Sequence, residues 1–126
     1  ERKLYAVEWN GMGKKLLTPE NGTHSITPIE GHNFFLDKYS TLNEPPVYYL
    51  RNNNGKVVRV LEDNIEYTLK MQEYALGKVE FRTIKGAYGD DLNAYIMTPP
   101  DFDKGKKYPV LMFQYSGPAS QQVRDM

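Results

Sequence analysis

The chain has 126 residues, with 16 Lys and Arg against 16 Asp and Glu, 40% hydrophobic residues and no cysteine. Its length suits one compact domain, and a balanced charge scattered along the chain supplies no general attraction to phosphate backbones or anionic lipid, which argues against nucleic acid as a partner. The missing cysteines exclude disulfide frameworks, Cys-based zinc sites and thiol nucleophiles, while the longest apolar run, Val110 to Phe113, falls far short of the ~20 residues of a membrane-spanning helix.

The first half alternates with a two-residue beat and is broken by turn residues at intervals of about eight to twelve, the pattern of an antiparallel β array. Leu4 to Trp9 reads as a strand, Asn10 to Gly13 as a turn and Lys14 to Thr18 as the return strand. Pro19-Glu20-Asn21-Gly22 ends that hairpin, and strands are expected over His24 to Glu30 and Phe34 to Thr41. Asn43-Glu44-Pro45-Pro46 forces an extended connection, because a proline biases the residue before it away from the helical region. Val47 to Arg51 and Val57 to Glu62 then form a hairpin across Asn52 to Gly55, where Asn54-Gly55 is a strong tight-turn signal.

The first hairpin looks like the second half of the unit that follows it. Leu4-Tyr5-Ala6-Val7 with Gly13 to Thr18 matches Val47-Tyr48-Tyr49-Leu50 with Gly55 to Leu61, and Tyr5 and Tyr48 stand about 43 residues apart, the period of a four-stranded propeller blade. A small β-sandwich that reuses one hairpin formula is the alternative on periodicity alone.

After Asp63 the beat changes. Asn64 suits a helix N-cap, Glu66 the first turn, and Ile65, Leu69, Met71, Tyr74 and Ala75 an apolar stripe of about three turns that Gly77 ends. Strands are expected again over Val79 to Ile84 and Leu92 to Met97, with a turn through Gly86, Gly89 and Asp90 and a stop at Pro99-Pro100. The run Tyr108 to Tyr115 is apolar on both faces at Val110 to Phe113, as a strand is inside a sheet covered by helices on each side. The few residues after Tyr115 cannot supply such helices, so the expectation is a piece of a longer protein.

The residues from Tyr48 to Asp125 carry a resemblance. Val58-Arg59-Val60-Leu61-Glu62-Asp63-Asn64, Pro99-Pro100-Asp101-Phe102-Asp103, Lys106-Lys107-Tyr108-Pro109-Val110-Leu111 and Tyr115-Ser116-Gly117-Pro118 with Ser120-Gln121 resemble the prolyl oligopeptidase family of serine peptidases, in its dipeptidyl peptidase IV branch. The Tyr-Ser-Gly-Pro wording favours that branch over the acylaminoacyl peptidases.

The resemblance implies a mainly β fragment, with the last blades of a β-propeller (1–63) followed by a linker helix and the first strands of an α/β-hydrolase domain (64–126). It implies a serine exopeptidase that releases N-terminal dipeptides from peptides with Pro or Ala at the second position, uses no cofactor or metal, and as a full-length protein forms a homodimer. One catalytic residue carries over: Tyr115, matching the family's oxyanion tyrosine, whose O–H helps hold the negative oxygen of the tetrahedral intermediate. A donor at the C-terminal end of a buried strand suits that task, because ligands of α/β sheets bind there. With the absence of cysteine, the resemblance also suggests a bacterial protein of the periplasm or cell envelope.

What is missing matters as much. No G-x-S-x-G elbow occurs, so Ser116 and Ser120 are not credible nucleophiles, and His24 and His32 precede the Tyr115 strand, whereas the triad of an α/β-hydrolase follows it. Both histidines read as strand or turn residues. Glu62-Asp63 reads as a solvated pair, Asp90-Asp91 as a turn cap, and Asn21-Gly22-Thr23 as a turn before a glycosylation signal. The isolated segment is expected to be inactive. Two rival readings stand beside this one: a non-catalytic β-rich binding module, and an acylaminoacyl peptidase or endopeptidase of the same fold.

Overall fold

The computed structural model describes residues 1–115, 117 and 119–126. The expected turn role of Ser116 lies outside the described residues.

An extended segment needs a neighbour for its N–H and C=O groups, and a tight turn delivers one in antiparallel orientation. The turn residues do this repeatedly. β1 (Tyr5–Ala6) pairs with β2 (Lys15–Leu16), and β3 (Thr23–Pro28), β4 (Phe34–Ser40), β5 (Val47–Asn52) and β6 (Val57–Glu62) form a four-stranded antiparallel sheet in sequence order. Such a meander is the unit of a propeller blade, whereas the strands of most sandwiches are joined by Greek-key connections. His24 lies opposite Tyr39, Asp37 opposite both Ile26 and Tyr49, and Phe35 opposite Arg51. One face of the sheet therefore carries Phe35, Asp37 and Tyr39 from β4, with His24 and Ile26 on one side and Tyr49 and Arg51 on the other.

The first hairpin is shorter than expected. Glu8 N–H donates to the Met12 carbonyl at 3.0 Å, Gly11 N–H to the Glu8 carbonyl at 2.8 Å, and the Asn10 side chain accepts from Met12 N–H at 2.8 Å. These bonds draw Glu8 and Trp9 into a wide turn in place of the strand end, and leave Trp9 fully exposed.

Among the described residues Leu17 and Phe35 are the buried hydrophobic residues, and Thr18, His24, Asp37 and Arg51 the buried polar ones. Leu17 meets the β5–β6 turn directly. Gly55 holds φ +85°, and a Cβ there would collide with the Leu17 carbonyl, whereas Gly11, at φ +82°, has open space where its Cβ would be. Gly11→Ala is therefore expected to lose the ~1–2 kcal/mol of a left-handed backbone, and Gly55→Ala a clearly larger amount. Urea unfolding of the two variants side by side checks this; equal losses would mean that Gly55 and Leu17 do not meet.

α1 (Ile65–Gln72) begins where expected and ends early. Its cap also differs from expectation. Asp63, not Asn64, accepts from the Ile65 N–H at 3.0 Å, while Asn64 turns left-handed (φ 53°) and sends its side-chain N–H to the Pro46 carbonyl at 2.6 Å. No residue of α1 is buried, so no packing energy extends a short helix towards Gly77.

β7 (Lys78–Lys85) and β8 (Asp91–Thr98) form a regular antiparallel ribbon. Phe81 and Tyr95, directly opposite, meet edge to face with ring centroids 6.3 Å apart. Gly86 N–H donates to the Asp90 carbonyl at 2.8 Å across the turn, and Asp91 pairs with Lys85 at 2.6 Å.

The strand expected over Tyr108 to Tyr115 is not formed. Double-sided apolar character fits a central strand but cannot create one, and among the described residues β7 and β8 pair only with each other. The chain divides into two units, Glu1–Lys70 with Asp125–Met126, and Met71–Arg124, the division falling within α1.

Candidate functional site

Tyr115 stands after the run Val110 to Phe113, whose side chains are 79–97% exposed, and is itself 59% exposed. Its ring lies against Gly117: a Cβ on that glycine would sit 3.0 Å from Tyr115 Cε1 and 3.3 Å from the hydroxyl oxygen. Among the described residues the hydroxyl makes no hydrogen bond, and a phenol carries one O–H donor. Ser120 lies nearby in sequence, its hydroxyl accepting from Gln122 Nε2 at 3.3 Å. The unit Met71–Arg124 contains no histidine, so within that unit Ser120 has no imidazole base. Among the described residues no cluster of His, Cys, Asp or Glu is arranged to hold a metal ion.

The most organised polar group in the chain lies in the first unit. Asp37 sits on β4 at an inward position, diagonal to His24 on β3 and to Arg51 on β5. Its carboxylate faces His24 Nδ1 at 2.9 and 3.0 Å and accepts from Arg51 Nε at 2.8 Å. Arg51 also donates from Nη1 to the Gly55 carbonyl at 3.0 Å and from Nη2 to Glu20 Oε1 at 2.8 Å, and its guanidinium lies 5.1 Å from the Tyr49 ring centroid. The His24 ring stacks on Tyr39, whose hydroxyl donates to the Asn21 carbonyl at 2.7 Å. Thr18, also buried, accepts from Leu4 N–H at 2.8 Å. The connection after the first hairpin is thus tied to three strands of the meander.

A histidine on a buried aspartate has the outline of two members of a catalytic triad. The geometry denies it that chemistry. His24 Nε2, which would have to meet a nucleophile, faces the Glu20 carbonyl at 3.2 Å, and the residue is 1% exposed. The network is a structural joint. Sequence reasoning places His24 correctly on a strand and misses its partners. The available signal was Asp37, standing between Phe35 and Tyr39 on the apolar beat of β4.

Burial raises the Glu20 carboxyl pKa, but the hydrogen bond from Arg51, a local backbone hydrogen bond and the nearby charges of Arg51 and His24 outweigh it, so the group titrates below its ordinary value of 4.5. A depressed folded-state value stabilises above the unfolded pKa and is lost as pH falls through the folded one. Glu20→Gln is therefore expected to flatten the loss of stability below pH 4.5, measured by urea midpoints across an acid series. An unchanged acid slope would mean that the Arg51 contact does not hold in solution. Glu62 and Asp63 are exposed, as expected, and each accepts from a backbone N–H at the helix start.

No family model matches the chain. Individual proteins do, along almost its whole length. It is 37% identical over 127 residues to dipeptidyl-aminopeptidase B of Podospora anserina, covering 98% of this chain and 14% of the relative. It is 35% identical to the protein of that name from Verticillium alfalfae, with the same coverage. Dipeptidyl peptidase 4 of Trichophyton rubrum is 30% identical over 128 residues, 97% of this chain and 16% of the relative. The crystal structure of Porphyromonas gingivalis dipeptidyl peptidase 4 superposes with a TM-score of 0.88 at 37% identity, over 98% of this chain and 18% of that one. A Bacteroides ovatus structure described as a dipeptidyl aminopeptidase IV gives 0.77 at 33% identity, over 96% and 17%.

The chain is a homologue of the dipeptidyl peptidases. It corresponds to a segment of them, spanning about a seventh of the length of the curated relatives it matches. The mainly β fold expected from the dipeptidyl peptidase resemblance agrees with a structural match along nearly the whole segment. The expectation of a bacterial periplasmic or envelope protein is corrected: dipeptidyl peptidases of Verticillium, Podospora and Trichophyton, all eukaryotic fungi, carry the corresponding segment. Lack of cysteine in so short a stretch does not distinguish a bacterial source from a fungal one.

Proposed function

We propose that the chain is part of a serine dipeptidyl peptidase that releases X-Pro or X-Ala from the N-terminus of peptides. Residues 1–63 contribute the last part of a propeller, 64–126 the linker helix and the opening of the peptidase domain, and Tyr115 supplies the oxyanion hydroxyl. The observation that carries this reading is the superposition of 98% of the chain on a dipeptidyl peptidase 4 structure. Two features of the chain itself support it. The run Val110 to Phe113 exposes apolar surface of the kind that protein–protein or interdomain contacts cover. Tyr115, directly beyond it, carries a phenol that makes no hydrogen bond among the described residues, where a rigid donor is needed once that run is held in a sheet.

The triad and the amine-binding carboxylates of such an enzyme come from other parts of the longer protein, so the isolated chain is expected to leave a Gly-Pro chromogenic substrate uncleaved. The longer protein is expected to cleave it and to spare the same substrate with a blocked N-terminus. Cleavage of the blocked substrate would favour an acylaminoacyl peptidase or endopeptidase, and turnover by the isolated chain, abolished by a serine-directed inhibitor, would overturn the assignment of the triad elsewhere.

A further inference from the structure

Three Asn-Gly pairs occur in the chain: Asn10-Gly11, Asn21-Gly22 and Asn54-Gly55. In such a pair the glycine main-chain nitrogen, unshielded by a side chain, can attack the Cγ carbonyl of the asparagine. The N–Cγ bond forms, the glycine nitrogen gives up its proton, the Cγ–amide nitrogen bond breaks and ammonia leaves. Water then opens the resulting succinimide at one carbonyl or the other, giving aspartate or isoaspartate. Water is the one co-reactant, so local structure decides which pair reacts.

Two of the pairs are held against it. Gly11 N–H donates to the Glu8 carbonyl at 2.8 Å and Gly55 N–H to the Asn52 carbonyl at 2.9 Å. The Asn10 amide is engaged at both ends, accepting from Met12 N–H at 2.8 Å and donating to Glu8 Oε2 at 3.1 Å. At the third pair the glycine nitrogen differs. Among the described residues the N–H of Gly22, a buried residue, donates no hydrogen bond, and Asn21 is exposed. Asn21 Oδ1 accepts from the Lys3 ammonium at 2.9 Å, placing a cation on the oxygen that gains negative charge as the ring closes.

We propose that Asn21 is the chain's spontaneous deamidation site, converting ahead of Asn10 and Asn54. Its position gives the reaction a structural consequence. The Asn21 carbonyl accepts from Tyr39 O–H and the Gly22 carbonyl from Arg2 N–H at 3.2 Å, while Glu20 belongs to the Arg51 network. An isoaspartyl linkage lengthens the main chain by one carbon between the residue-21 Cα and the Gly22 nitrogen and turns the Asn21 carbonyl into a pendant carboxylate, and so loosens the joint between the first hairpin and the meander.

The purified chain is incubated in mildly alkaline buffer and its peptides are followed by mass spectrometry for the amide-to-acid mass gain, with isoaspartate resolved chromatographically. Asn21 is expected to convert severalfold ahead of the other two in the folded chain, and the three rates to converge in denaturant, where the hydrogen bonds that distinguish them are gone. Asn10 or Asn54 keeping pace with Asn21 in the folded chain overturns the proposal, as does the same ranking with and without denaturant. Lys3→Met is expected to shrink the lead of Asn21 over Asn10 within one sample; an undiminished lead overturns the role given to the ammonium group.

Discussion

Asp37→Ala is expected to cost the first unit about 3–5 kcal/mol, the penalty for removing one partner from a buried charged network. The carboxylate is the acceptor that His24 and Arg51 share, and all three side chains are at most 2% exposed. Without it, the buried guanidinium keeps only the half-buried Glu20 as a counter-charge and His24 Nδ1 loses its partner. Total stabilities of small domains are about 5–15 kcal/mol, so this variant stands at the edge of unfolding. Asp37→Asn keeps the shape and one acceptor oxygen and is expected to lose less. Far-ultraviolet circular dichroism in urea is the suitable readout, since the single tryptophan, Trp9, is fully exposed and remote from the network in sequence. An Ala variant within ~1 kcal/mol of the parent would place the network among ordinary surface ion pairs, and Asn as costly as Ala would shift the weight from hydrogen bonding to charge.

The same network marks where sequence reasoning reached its limit. β6 is legible at its observed bounds, and β3 to β5 within two residues, because alternation, paired turn residues and Asn54-Gly55 all act locally. His24, Asp37 and Arg51 lie on three different strands, and their meeting depends on the diagonal relation set by register. Only Asp37, a charge on the apolar beat, betrays the site in advance. The segment Tyr108 to Tyr115 fails in the opposite way: its composition describes the interior of a larger sheet, and pairing partners, which composition does not supply, are what make a strand. For α1, Ile65, Leu69 and Met71 of the expected stripe fall in the helix and Tyr74 and Ala75 beyond its end, and no residue of α1 is buried, so the packing that would extend it is not provided by the described residues.

Tyr115 is the residue on which the proposed chemistry can be tested most directly. Tyr115→Phe in the full-length enzyme is expected to lower kcat by ~10²–10³-fold while leaving KM nearly unchanged, the signature of losing one oxyanion donor. The substitution removes one oxygen and its proton. The ring keeps its contact with Gly117, whose missing side chain lets the phenyl edge approach so closely, so positioning of the neighbouring main chain is conserved. The ground-state carbonyl of a substrate is a weaker acceptor than the oxyanion that forms at the same atom, and a bond that strengthens along the reaction acts on turnover more than on binding. A structural tyrosine would behave differently. Among the described residues the hydroxyl has no partner and the side chain is 59% exposed, so Tyr115→Phe in the isolated chain is expected to change stability by less than ~0.5 kcal/mol, as surface substitutions do. A catalytic loss in the enzyme together with a silent stability profile in the chain assigns the hydroxyl to the reaction. Full activity in the enzyme would leave Tyr115 a surface aromatic, and a rise in KM with kcat preserved would move it from the oxyanion to substrate binding.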